Sequence, residues 1–182
     1  MSNEPLAIIF VSNGPGELAT WVKPLAKELH KQIALRPKAK TSLMSLNLVL
    51  VPCPNATGNE NLVAKKWLQF EKIVKAKNFW ELLIKPKKFG LWPKKGLVIF
   101  LGGDQFWSVL LSARLGYLHM TYAEWIARWP FWNNRIVAMS DSIVKKLPRR
   151  VQNRCSVIGD LTADLTENAK IDNPLPSGKW IA

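Results

Sequence analysis

The sequence is poor in the residues that build metal and disulfide sites, with 2 cysteines and 2 histidines among 182 residues. Cys53 and Cys155 lie far apart, and neither a CxxC pair nor a histidine cluster accompanies them. A disulfide framework is thereby excluded and a metal site is left without support, so two buried or half-buried thiols are expected. No run of about 18 consecutive apolar residues occurs, which excludes an ordinary membrane-spanning helix. The opening MSNEPLAIIF has neither the basic start nor the small-residue cleavage site of a signal peptide. GxGxxG spacing and the Lys and Ser/Thr of a Walker loop are also missing, which disfavours nicotinamide and ATP sites. No cofactor is expected.

Acidic residues are scarce as well. Asp and Glu number 13 against 26 Lys and Arg, a formal net charge of +13. Such a surplus attracts something acidic: a phospholipid surface, nucleic acid or a phosphorylated substrate. What is abundant is tryptophan, with 9 residues. Tryptophan combined with lysine favours the membrane–water interface.

Short apolar runs alternate with longer amphipathic ones. LAIIFVS (6–12) reads as a buried parallel strand. Leu18, Val22, Leu25, Leu29 and Ile33 then mark one face of a helix that begins properly near Val22, because Pro24 breaks its first turns. LNLVLVP (46–52) is the second strand. A helix capped at Glu60 or Asn61 is expected to carry Leu62, Val63, Trp67, Phe70, Ile73 and Val74 on one face. A short helix from Asn78 is stopped by Pro86. Strands are predicted at 96–103, 117–123, 135–140 and 155–159, with a helix from Phe106 to Leu115. This alternation predicts an α/β fold, a Rossmann-like doubly wound parallel sheet, over residues 1–170. IDNPLPSG (171–178) has linker composition, and residues 171–182 read as a linker entering a further domain.

Four stretches carry candidate chemistry. In SNGPGE (12–17), Gly14, Pro15 and Gly16 deliver Glu17 into the first turn of a helix. A carboxylate there occupies the N–H donors of a phosphate cradle or repels an arriving phosphate. The loop is either a tight turn with an acidic cap or a surface bringing Asn13, backbone and Glu17 to a neutral polyhydroxyl ligand. In FLGGDQFW (100–107), Asp104 is either the N-cap of the next helix or a carboxylate facing the cleft as general base. TYAEWIARWPFWNNR (121–135) gathers Tyr122, Trp125, Trp129, Phe131 and Trp132 with Glu124 and Arg128. Core burial explains two or three of these rings, and sugar stacking or an acyl groove would use the rest. His119 reads as a core or surface histidine.

The segment 64–95 carries ten lysines against Glu71 and Glu81, interleaved with Trp67, Phe70, Phe79, Trp80, Phe89 and Trp92. It is either a solvated basic face over a core helix or a surface docking on anionic membrane, where each lysine contributes about 1 kcal/mol. The second is preferred, since KPKKFGLWPKK has little helical pattern with which to bury Phe89 and Trp92. Nucleic acid is the rival partner, disfavoured because no RNP signature, zinc knuckle, GXXG clamp or helix-turn-helix is found.

With these motifs in order, the sequence resembles the lipid-A-disaccharide synthase family of glycosyltransferases, and within it a synthase-like branch marked by SNGPGE. Gly14, Gly16 and Glu17 stand where that family has G-E-A-S-G-D. GGDQF resembles G-I-D-A-P-D-F, with Asp104 matching either aspartate. TYAEWIARW resembles Y-V-S-P-x-x-W-A-W through Tyr122, Trp125 and Trp129. VIGDLTADL resembles V-G-H-P-L-A-D, keeping Gly159, Leu161, Ala163 and Asp164, with Asp160 in place of the histidine. The resemblance implies the N-terminal, acceptor-side half of a GT-B enzyme. Such a half works with a C-terminal domain that binds a UDP-sugar, on a lipid-linked sugar acceptor at the inner face of the cytoplasmic membrane. It implies Asp104, or else Glu17, as catalytic residue. The substrate-binding residues would be Asn13, Gly14, Gly16, Tyr122, Glu124, Trp125, Arg128, Asp160 and Asp164. A membrane-surface or nucleic-acid binding domain without chemistry is the alternative. On this reading the chain alone transfers no sugar.

Overall fold

The computed structural model describes residues 4–35, 44–53, 60–67 and 69–163. Asp164 and the expected linker at 171–182 lie outside the described residues. The described residues form seven strands: β1 (Leu6–Ser12), β2 (Met44–Leu50), β3 (Lys72–Val74), β4 (Lys95–Phe100), β5 (Leu118–Ala123), β6 (Arg135–Ala138) and β7 (Cys155–Val157). They form one sheet in the order β3-β2-β1-β4-β5-β6-β7, with every pair parallel. The α/β, Rossmann-like doubly wound sheet expected from the alternation of runs is therefore the fold.

LAIIFVS is continuous in apolar character because β1 is central and covered on both faces. Ala7, Ile9 and Val11 point to one core with Phe79, Leu82 and Leu111, while Ile8 and Phe10 point to another with Leu18, Val22 and Ala26. Neighbouring residues of a strand face opposite ways, so one run feeds both layers. A third, smaller cluster joins Ala123, Ile136 and Ala138 to Ile143, Leu147 and Val151.

The α-helix begins beside Pro24, as expected, and what was not expected is the form of the segment before it. A turn at Pro15–Glu17 leads into a π-helical segment, Leu18–Val22, which continues as α1 (Lys23–Ala34). Proline has no N–H to donate, and its ring crowds the carbonyl four residues back. The wider π turn meets that constraint, with the Lys23 N–H reaching back to the Leu18 carbonyl.

The helix expected to run through Ile73 and Val74 is shorter than predicted. It ends at Lys65 as α2 (Glu60–Lys65), and Lys72–Val74 pairs with Asn47–Val49 as the edge strand β3. Two β-branched residues beside an open sheet edge favour pairing over helix. Trp67, Phe70 and Ile73 do reach the core, but Leu62 and Val63 are 55% and 45% exposed. The remaining α-helices among the described residues are α3 (Phe79–Ile84), α4 (Gln105–Leu115), α5 (Asp141–Lys145) and α6 (Arg149–Gln152).

The basic segment differs from expectation in where its rings go. Phe79 is fully buried, and Phe89 and Trp92 pack against the same core. The Trp92 indole N–H donates to the Pro86 carbonyl at 3.0 Å, and Lys72 lies over its ring. A short 3-10 turn, Pro86–Phe89, supplies the burial that the sequence pattern did not show. Trp80 remains half exposed. Both cysteines are half-buried, and the Cys155 Sγ donates to the Val151 carbonyl at 3.4 Å. No helix among the described residues is long and apolar enough to cross a membrane.

His119 is a core residue, with its Nε2 2.9 Å from Ser108 Oγ. Burial pulls its imidazole from 6.5 down to about 4, against a smaller opposing effect of the Trp132 backbone. The unfolded chain then takes up this proton first as pH falls. Stability from the neutral ring is complete above the unfolded value and is lost as pH drops toward 4. Between neutral pH and about pH 5 the loss is about 2 kcal/mol. Urea unfolding of His119→Gln should show a shallower acid slope than the wild type. An equal slope would assign the acid sensitivity to other groups.

Candidate functional site

The strand order reverses direction at β1 and β4: the chain leaves β1 toward β2 and β3, and leaves β4 toward β5, β6 and β7. Loops on either side of such a switch point diverge and open a crevice at the carboxyl ends of the strands, where doubly wound sheets bind ligands. The two glycine loops singled out in the sequence meet here. Asn13, Glu17, Pro52, Cys53, Gly103, Asp104, Gln105, Trp107, Ile126 and Arg128 line a cleft of about 820 Å3. A smaller chamber of about 200 Å3 adjoins it, sharing Glu17, Gly103, Gln105 and Ile126 and adding Trp21, Tyr122, Glu124 and Trp125.

Glu17 lies between the two chambers because two glycines make room for it. A Cβ on Gly102 would come within 2.8 Å of Glu17 Cγ and 2.9 Å of its Cβ. A Cβ on Gly14 would collide with Glu17 Oε2. The carboxylate therefore folds back over the ends of β1 and β4. It does not take the free donor of the turn, since the Gly14 N–H donates to Asn13 Oδ1 at 2.8 Å. Gly16 meets nothing around its Cβ position and serves the turn rather than the cradle.

Asp104 caps α4. Its Oδ1 accepts the Phe106 N–H at 2.9 Å, while the residue stays exposed and lines the larger chamber. The cap and the cleft-facing position, set as alternatives from the sequence, are both occupied by this one side chain. Glu124 is half-buried and lines the smaller chamber beside Glu17. The cleft thus collects three carboxylates in a chain of net charge +13.

Other expected site residues are placed differently. Tyr122 is buried; its hydroxyl donates to the Gly159 carbonyl and accepts the Leu161 N–H, both at 3.3 Å. Burial raises its pKa, and the hydroxyl ties the chain after β7 to β5. Asp160 accepts the Thr162 N–H at 2.8 Å, a hydrogen bond that lowers its carboxyl from the usual range. It stands in a turn after β7 and is not among the cleft-lining residues. Trp125 is 77% exposed at the rim, and Arg128 lines the larger chamber.

Gln105 is the residue that sequence reasoning missed. It is buried; its amide Nε2 donates to the Ile126 carbonyl at 2.7 Å and its Oε1 accepts the Arg128 N–H at 2.6 Å. Both ends of one amide thus clamp the aromatic loop to α4. The only sequence signal was position, one residue after a helix cap. Trp21 also escaped notice; its ring contacts Tyr122 edge-on at 5.7 Å on the cleft wall. Ser12 Oγ and Trp21 Nε1 are buried without a partner among the described residues. Such groups are costly unless something satisfies them. The described residues include no group of three or more His, Cys, Asp or Glu able to hold a metal ion.

No family model matches the chain, and no curated protein matches it. Among solved structures it is similar to "Structure of MT0777", with 10% identity and a TM-score of 0.47 over 90% of this chain and 93% of that chain.

Two substitutions test this geometry. Gly102→Ala should displace Glu17 and lower stability by about 1–3 kcal/mol, an overpacking cost read by chemical unfolding. Gln105→Ala leaves the Ile126 carbonyl and Arg128 N–H unpaired and should cost about 1–3 kcal/mol. Hydrogen exchange should then rise first at 126–128; uniform loosening would refute a local clamp.

Proposed function

We propose that the chain is the acceptor-side domain of a lipid-A-disaccharide synthase-like glycosyltransferase, which passes a sugar from a UDP-sugar to a lipid-linked acceptor. The observation that carries this reading is the Glu17 carboxylate, held by Gly14 and Gly102 between two chambers at the switch point. Three carboxylates repel phosphate but accept hydrogen bonds from hydroxyls, so the acceptor sugar belongs on this side. Trp21 and Trp125 on the walls suit the apolar face of a sugar ring.

Glu17 is the better-placed base, because one oxygen of Asp104 is engaged in capping α4. In the step proposed, Glu17 takes the proton of an acceptor hydroxyl as its oxygen attacks the anomeric carbon. The carbon–oxygen bond to UDP breaks and UDP departs with the electron pair. The UDP-sugar would be held by a second, C-terminal domain. One observation favours a reading without chemistry: Asp104 and Tyr122, both in stretches that resemble synthase motifs, are engaged in structural hydrogen bonds. The same cleft would then be a carbohydrate-binding site on a membrane-surface domain.

Transfer assays that supply the UDP-sugar-binding domain separate the two. Glu17→Gln should lower turnover by about 100-fold or more while leaving the KM for UDP-sugar unchanged. An equal fall in UDP-sugar affinity would overturn the division of labour. Unchanged turnover would remove Glu17 from the chemistry.

A further inference from the structure

Among the described residues, five large apolar side chains are exposed within eight positions of the loop between β5 and β6, where Trp125, Ile126, Trp129, Phe131 and Trp132 are 77%, 56%, 46%, 63% and 63% exposed. Contiguous apolar exposure of this kind marks an interaction site. The loop is built to stay as it is. Gln105 grips Ile126 and Arg128, and the buried Asn133 donates through Nδ2 to the Trp129 carbonyl at 3.1 Å. Trp129 itself has φ 54, a left-handed conformation that a bulky side chain adopts only when its surroundings impose it. Strain is thus spent on holding rings outward.

Behind the rings lies an apolar groove of about 270 Å3, between the loop and the short helices α5 and α6. Ala127, Ile143, Leu147 and Pro148 line it, and Lys146 stands at its edge. The same helix pair adds Lys145, Arg149 and Arg150, all exposed, against the lone acidic residue Asp141 in 141–152. Tryptophan and phenylalanine side by side with basic groups, over a groove lined by aliphatic carbon, match an acyl–headgroup boundary. Nucleic acid would use the charge and the rings, but it has no use for an aliphatic groove.

We infer that the 125–132 loop and the α5–α6 pair form the surface by which this protein docks on an anionic phospholipid bilayer. The rings enter the interface, the groove accepts acyl carbon, and Lys146 with its neighbours meets headgroup phosphate. Trp125 and Ile126 belong to this surface and also to the smaller chamber of the cleft. A lipid-linked acceptor would therefore arrive directly at Glu17. That last point rests on the transferase reading, whereas bilayer docking does not.

Vesicle co-sedimentation of the full chain tests it, using phosphatidylcholine vesicles with and without about one third phosphatidylglycerol. Binding should require the anionic lipid and weaken in high salt. The double variants Phe131→Ser/Trp132→Ser and Lys146→Glu/Arg150→Glu should each lower partitioning by about tenfold or more. Lys85→Glu/Lys87→Glu, in the lysine-rich segment, should change it by less than about threefold. All these side chains are exposed, and an unchanged thermal midpoint would exclude misfolding. Equal loss in the Lys85/Lys87 variant would overturn the assignment. So would absence of vesicle binding, RNA binding that vesicles fail to displace, or a dimer that the Phe131/Trp132 variant abolishes. Vesicle binding without transferase activity would leave this surface standing and remove only the catalytic reading.

Discussion

Glu17 and the carboxyl ends of β1 and β4 meet at a distance that only missing side chains allow, and the cleft is organised around that approach. The two strands are paired in parallel through Leu6–Val11 and Lys95–Phe100, so their loops emerge side by side. Any side chain at Gly14 or Gly102 would occupy the volume that Glu17 now fills. The result is a carboxylate fixed at the switch point, without the long approach of a flexible loop. A basic protein thereby acquires a crevice lined by three carboxylates.

The surrounding structure serves that crevice through hydrogen bonds more than through bulk apolar contact. Asp104 starts α4, and the next residue, Gln105, holds the aromatic loop. Tyr122 joins the chain after β7 to the sheet. Each bond is modest alone; that of Asp104 fixes the start of α4, while those of Gln105 and Tyr122 cross between elements. The π-helical turn before Pro24 brings Trp21 to the same wall. Burial of the rings of 64–95 other than Trp80 and exposure of those of 125–132 follow a similar logic. The former cover a long central sheet, while the latter sit beyond the shorter strands β6 and β7, where little core remains to receive them.

Much of this could be read from residue order. LAIIFVS and GLVIFLGG announced buried strands, and the alternation with amphipathic runs announced the parallel sheet, because side-chain period and burial are local properties. The glycine loops and their acidic residues were also legible, since position after a strand implies the crevice. The edge strand β3 was hidden: Ile73 and Val74 keep a helical spacing with Phe70, and only the open edge of β2 converts them to strand. The fate of Phe89 and Trp92 was hidden for a related reason, as it depends on a short 3-10 turn with no periodicity to detect.

By itself the sequence determined the layer architecture, the excess of positive charge and the presence of Glu17 and Asp104 at strand ends. Those follow from pattern and composition, which need no distant contact. Only the tertiary structure decided which carboxylate caps a helix and which lies between the two chambers, which tryptophans are core and which are surface, and that Gln105 holds the loop. Each of these is a matter of which groups come within a few ångströms across the sheet. That proximity is created by strand order and loop packing, and no spacing along the chain encodes it.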